Sequence, residues 1–410
     1  MKNRNYIHRL EQKEPHIFTL IIMSSFASMG AIIFTPALPE IGHFFHVSEG
    51  HSQLTISLFL LGYAIGQLIY GPLANRFGRK PAFFIGVVIA TLGSIFSILS
   101  APFHSFHLMI FGRVLEALGS SAGLVLAFTI INDHYYPEQS RRVVAYLMLS
   151  FAIVPGVATF IGGILVSRFH WISCFYFLLI YGLLLAIPAS LLAETGTNLS
   201  KHALRFSQIK KGYAIAFKDK VLRSFTLFFG LSGMCVYIYA ASAPLIAINY
   251  LKITPEIYGL FGLIPYIGTA LGSMTSVRLS SVLKPKSLLK VGLIICVIAS
   301  LITAISFYMG FINFGMLILV GFMFMYGNCI IVANGASIAP TYVENKANAS
   351  AVMQFINVSM PMTGTFLIAL IPGSPIIKLP IGFLIAMFIM INMWFFVLKK
   401  QKIIIIHASK

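Results

Sequence analysis

Two long stretches of this chain, 53–70 and 82–101, carry no charged side chain, and only GPLANRFGRKP, Gly71 to Pro81, separates them. About 20 consecutive apolar residues are enough to cross a bilayer as a helix. A connection this short between two such helices must therefore turn at the membrane surface. Gly71 and Gly78 free the backbone for a tight turn, and Pro72 and Pro81 mark helix boundaries. Arg76, Arg79 and Lys80 fall where lipid phosphates and helix C-termini favour cations. The sequence thus predicts a polytopic membrane protein with a tight basic loop.

Composition agrees. The chain of 410 residues is 58% hydrophobic and only 10% charged, with a mean hydropathy of +0.89. Soluble domains of this size are not so poor in charge. The net charge of +18 would point to nucleic acid in a soluble protein, but its distribution gives another answer. Of the 29 lysines and arginines, 25 fall in the tails and loops of one side, and Arg168, Lys252 and Lys378 on the other; Arg113 lies inside an apolar stretch. This is the positive-inside asymmetry, and it predicts an even number of spans with both termini cytoplasmic. Cations scattered over many short loops argue against nucleic acid as a partner.

Apolar segments of spanning length fall at about 17–38, 53–73, 82–101, 108–131, 143–166, 171–193, 222–244, 257–281, 288–309, 312–334, 348–371 and 379–398. An all-α protein of twelve transmembrane helices follows. The longest polar interval comes after the sixth span and divides the chain into a six-helix half at 1–193, a cytoplasmic linker at 194–221 and a second six-helix half at 222–410. A weak echo suggests duplication: Tyr63, Gly66 and Gly71 lead the second span into its basic loop, and Tyr266, Gly268 and Gly272 lead the eighth toward Arg278.

Within the spans, the ionisable side chains away from the ends reduce to Arg113 and Glu116. Either costs about 2.5–3.5 kcal/mol at a bilayer centre on insertion scales, so each must face a cavity or a partner. Spaced i and i+3 on a helix, they can pair. The pair reads either as a proton or substrate site in a central cavity or as a neutralised structural anchor. Tyr63, Gln67, Tyr237, Tyr239, Tyr266, Asn328, Gln354 and Asn357 are further candidates to line a cavity suited to uncharged amphipathic ligands, or else to bond helix to helix. The cysteines, Cys174, Cys235, Cys296 and Cys329, have no CxxC spacing and read as small buried hydrophobes, so no metal or disulfide is expected. No GxxxxGK[ST] loop is present, so direct ATP drive is not supported, and no cofactor is expected.

These motifs resemble the major facilitator superfamily and, within it, the proton-driven drug exporters of the bicyclomycin and chloramphenicol resistance type. GPLANRFGRKP resembles the family loop GxLADRxGRK between the second and third spans. RVLEALGSSAG, Arg113 to Gly123, resembles the fourth-span motif of a buried arginine before a glycine-rich stretch. PGVATFIGG resembles the fifth-span antiporter motif through Pro155, Gly156, Gly162 and Gly163, and TPALPEIG, Thr35 to Gly42, the end of the first span. The chain departs from the pattern at Asn75, where the family usually has Asp, and at Ile32, where the subgroup often has a membrane-embedded Asp. Phe128 and Asn132 replace the arginines that often flank the retained Asp133.

The resemblance implies a secondary transporter of the bacterial inner membrane, a monomer in which two six-helix halves alternate access to a small-molecule substrate. It would export small amphipathic compounds in exchange for protons and would not be an enzyme. Gly71, Asn75, Arg76, Gly78, Arg79 and Lys80 would form a gating loop, with Asn75 giving only a neutral hydrogen bond where relatives have an ionic latch. Glu116 with Arg113 would couple protons, Asp133 being the next candidate. The rivals are an uptake carrier or passive facilitator, which loss of the first-span acid favours, and a lipid-modifying membrane enzyme, which lacks the expected interfacial clusters of His, Asp and Glu.

Overall fold

A helix in hydrocarbon satisfies its own backbone, and this chain has little besides helix. The computed structural model describes residues 15–196, 199, 214–339 and 346–398, and among these no strand occurs. Twelve helices are long and apolar enough to cross a membrane. They are α1 (Ile17–Phe44), α2 (Glu49–Phe77), α3 (Arg79–Leu99), α4 (Phe106–His134), α5 (Pro137–Phe169), α6 (Ile172–Ser190), α7 (Lys220–Tyr250), α8 (Pro255–Leu279), α9 (Pro285–Tyr308), α10 (Phe314–Ile338), α11 (Lys346–Leu370) and α12 (Pro375–Val397). Residues 197–198 and 200–213 of the expected linker, and both termini, lie outside the described residues.

Several starts are fixed by side-chain caps. Ser48, Ser105, Asp219, Thr254 and Asn313 each accept a hydrogen bond from the backbone N–H three residues on. α1 is broken by a 3-10 turn at Thr35–Ala37, where Pro36 cannot donate to the helix ladder. Large apolar side chains such as Ile187, Val277 and Phe388 point outward, where lipid is their solvent.

Helices meet closely where side chains vanish. A Cβ added at Gly119 of α4 would strike the backbone of Ala90 in α3, and one at Gly93 would strike Glu116 of α4. Six helices later, Gly292 of α9 meets Gly327 of α10 in the same way. Likewise Gly62 and Gly66 of α2 admit α4 at Val114 and Ser121, and Gly268 and Gly272 of α8 admit α10 at Phe322 and Tyr326. The duplication suggested by the sequence therefore has a packing counterpart.

The described loops lie alternately on a basic face, which carries Arg79 and Lys284, and on an opposite face, which carries Lys252 and Pro372. One apolar cluster, containing Phe26, Phe83 and Ile131, stays within α1–α6 toward the basic face, and another, containing Phe228, Phe324 and Phe383, stays within the later helices. The third joins the two halves, packing Leu38, Phe59 and Trp171 with Ala241, Leu245 and Val358. Hydrogen bonds cross between the halves at the same end. Gln53 donates to the Ala241 carbonyl and to Ser242, both at 3.3 Å, while Asn249 and Tyr250 donate to the Glu49 carboxylate at 2.6 and 3.0 Å. The halves are clasped at the opposite face.

Candidate functional site

The expected basic loop is mostly helix. α2 runs on through Phe77, Gly78 alone breaks it with a φ of +104°, and α3 begins at Arg79. Gly71 lies inside α2 with open space around it, so it turns nothing, and Pro72 is likewise within the helix. Gly78 is the required glycine: its φ is left-handed, and an added Cβ would meet the Glu194 carboxylate at 2.6 Å.

Around that one-residue turn the sequence reading missed the principal group. Glu194, just past α6, accepts from the Arg79 and Lys80 amides, each at 2.9 Å, and from the Gly196 amide at 2.7 Å. It thereby caps the start of α3, whose first amides have no helical acceptor. The Arg79 guanidinium pairs with Asp133 at the end of α4 at 2.7 Å and donates to the Ala74 carbonyl at 3.3 Å, while Lys80 donates to the Ser190 carbonyl at 2.6 Å. Thr195 also donates to Asp133, at 3.2 Å. This clasp ties α2, α3, α4 and the end of α6, all within the first half. Asn75, expected to make at best a neutral hydrogen bond, is exposed and makes none among the described residues; Arg76 stacks on Phe77 at 5.8 Å. An acid directly after the sixth span was the available signal for Glu194.

Arg113 and Glu116 pair as their spacing predicted, at 2.8 Å and with both side chains at most 1% exposed. Their place corrects the expectation of a central cavity: they are sealed inside the first half. Arg113 donates to the Gly30 carbonyl of α1 at 2.8 Å, and its guanidinium lies over the rings of Phe34 and Phe59 at 4.0 and 4.2 Å. One Glu116 oxygen takes the arginine, whereas Oε1 has no partner and faces Gly30, where an added Cβ would come within 2.7 Å.

The mid-depth interface between halves gathers some of the expected polar residues and not others. Tyr63 of α2 adjoins Gln67 and Tyr237 of α7, and Tyr266 of α8 adjoins Tyr237 and reaches Thr159 of α5. Gln67 is buried and its Nε2 lacks a partner, a donor available to a ligand. Tyr239 turns away and donates to the Leu317 carbonyl of α10 at 3.1 Å. Two residues apart on a helix, it cannot share a face with Tyr237. Asn328 accepts from Ser232 at 2.7 Å and so bonds α10 to α7. On α11, Gln354 is partly exposed and Asn357 approaches Gly233 of α7.

The antiporter-like segment of α5 sits between the halves. Gly162 lets α5 touch the Ile33 carbonyl beside the α1 break, and Gly163 meets Pro255 and Gly259 of α8. Gly156 meets Tyr266, and the Pro155 carbonyl accepts from the Thr159 hydroxyl at 2.9 Å. Small residues here permit two helices of different halves to slide. Among the described residues no group of three or more His, Cys, Asp or Glu is placed to hold a metal.

The family model of the Major Facilitator Superfamily matches residues 20–365. The chain is 27% identical over 290 residues to a bicyclomycin resistance protein homolog of Haemophilus influenzae, covering 70% of this chain and 72% of that one. It is 29% identical over 164 residues to multidrug resistance protein D of Escherichia coli, covering 40% and 41% of the two chains. Among solved structures, a D-xylose-proton symporter superposes with a TM-score of 0.71 at 13% identity, over 96% of this chain and 98% of that one, a likeness of fold. Twelve spans in two similarly packed sets of six, with the family match over most of the sequence, place this multi-pass membrane protein in the major facilitator superfamily of transporters.

Proposed function

We propose that the chain exports small amphipathic compounds across a bacterial inner membrane in exchange for protons, its basic face being cytoplasmic. The observation that carries this reading is Glu116, a carboxylate sealed in the first half with one oxygen on Arg113 and the other unpartnered. On this reading, rocking that parts the carboxylate from Arg113 lets it take a proton, and re-forming the pair releases that proton. Gly30 and Phe34 of α1 line this pocket, and α1 also packs on α7 of the other half, so rocking of the halves reaches the pair. The names of the two relatives support drug-type substrates, and the phenols and amides of Tyr63, Gln67, Tyr237 and Tyr266 suit an uncharged amphipathic molecule. Clasped at the opposite face, the molecule corresponds on this reading to the state open to the cytoplasm. The test is accumulation of an uncharged fluorescent amphipath such as Nile red in everted membrane vesicles. Uptake into vesicles that collapses on dissipating the pH gradient supports exchange; uptake indifferent to it supports a passive facilitator, a reading favoured by the burial of the pair among residues of the first half alone.

A further inference from the structure

At the opposite face, between the starts of α2 and α12, lies a cavity of about 490 Å³ whose walls include Glu49, Gly50 and Leu54 from the first half and Tyr250, Pro372 and Lys378 from the second. That size is typical of sites for small organic molecules. Lys378 is one of only three cations that the sequence assigns to this face, and it is buried, 4% exposed. Among the described residues its ammonium has neither a hydrogen bond nor an ion pair. Nζ lies 3.2 Å from where a Cβ of Gly50 would stand, against the first turn of α2, and Lys378 itself belongs to the first turns of α12. The first turns of α2 and α12 thus face the cation, as does the last turn of α11, whose Ala369 carbonyl adjoins the same point. The one carboxylate on the wall, Glu49, acts on Lys378 through its charge without touching it, both its oxygens being bonded to Asn249 and Tyr250. A buried ammonium with neither a hydrogen bond nor a contact ion pair gains both from an incoming oxyanion.

We propose that this cavity binds the oxyanion group of an amphipathic molecule, with Lys378 as its counter-ion and the apolar wall of Leu54, Leu370 and Pro372 holding its body. The site is distinct from the mid-depth interface and independent of the direction of transport. Because its walls come from both halves, an occupant holds the opposite face closed.

Thermal unfolding of the purified protein in neutral detergent, titrated with benzoate and with benzylamine, tests the site. Saturable stabilisation by benzoate and none by benzylamine is expected, with the apparent affinity for benzoate falling at least tenfold in Lys378→Met and, independently, in Leu54→Trp, which fills the cavity. Native mass spectrometry after extraction with phosphatidylglycerol separates the two sources of oxyanion. A lipid adduct lost in Lys378→Met assigns the pocket to a headgroup phosphate; benzoate binding without such an adduct assigns it to a soluble carboxylate. If neither probe depends on Lys378, or if benzoate binding survives both variants and disappears in Gln67→Ala, the proposal fails.

Discussion

Glu49→Gln should open the opposite face. In the wild type its two oxygens accept from Asn249 and Tyr250 across the halves, at 2.6 and 3.0 Å. Hydrogen bonds to a charged group contribute about 1.5–3 kcal/mol each. Glutamine keeps one acceptor and turns an NH2 toward the other donor, so at least one such bond is lost. The clasped state should lose about 1.5–3 kcal/mol relative to the opened one, which is about 10- to 150-fold in their ratio. Ala241, 2% exposed in the cluster that joins the halves, is the reporter. In a background without native cysteines, alkylation of Ala241→Cys from the opposite side proceeds at a rate proportional to the opened fraction. The predicted outcome is acceleration by the same 10- to 150-fold, with Tyr250→Phe acting in the same direction and less strongly. A rate within twofold of the parent would refute the reasoning and leave the apolar packing as the clasp.

Three other outcomes follow from the basic-face clasp and the helix crossings. Gly78→Val should abolish transport while Gly71→Val leaves it near normal, since only the first has a left-handed φ and a neighbour in the way; flux at matched protein levels decides. Glu194→Ala removes three charge-assisted bonds from backbone amides and should destabilise the first half by about 2–4 kcal/mol, read as a lower midpoint of thermal unfolding; an unchanged midpoint would mean that water caps α3 as well. Gly162→Val drives a side chain into the Ile33 carbonyl, and overpacking of this kind costs about 1–3 kcal/mol, so folded protein in the membrane should fall, as measured by fluorescence-detected size exclusion.

The twelve spans were legible because hydrocarbon thickness and backbone satisfaction leave a helix almost no alternative. The Arg113–Glu116 pair was legible for a similar reason, since i and i+3 on a helix are neighbours whatever surrounds them. The basic loop was misread because Gly71, Pro72 and the charges after them look like punctuation. At the membrane surface water satisfies what hydrocarbon cannot, so α2 outruns its apolar segment and turns only where φ must be positive, at Gly78. Tyr239 was grouped with Tyr237 by composition, although 100° per residue sets them on different faces. Glu194 and Lys378 were beyond reach for another reason. What each side chain meets, three amides in one case and the wall of a cavity in the other, is decided by helices distant in sequence.

The measurement closest to the central claim uses Glu116→Gln in proteoliposomes, compared with the wild type at equal reconstitution. Glutamine keeps the size of the side chain and its bond to Arg113 but cannot take up or release a proton near neutral pH. If the carboxylate couples the two fluxes, substrate counterflow should persist while uphill accumulation driven by an imposed pH gradient is lost. Uphill accumulation by Glu116→Gln with the wild-type dependence on that gradient would contradict the account and make the pair a structural anchor of the first half.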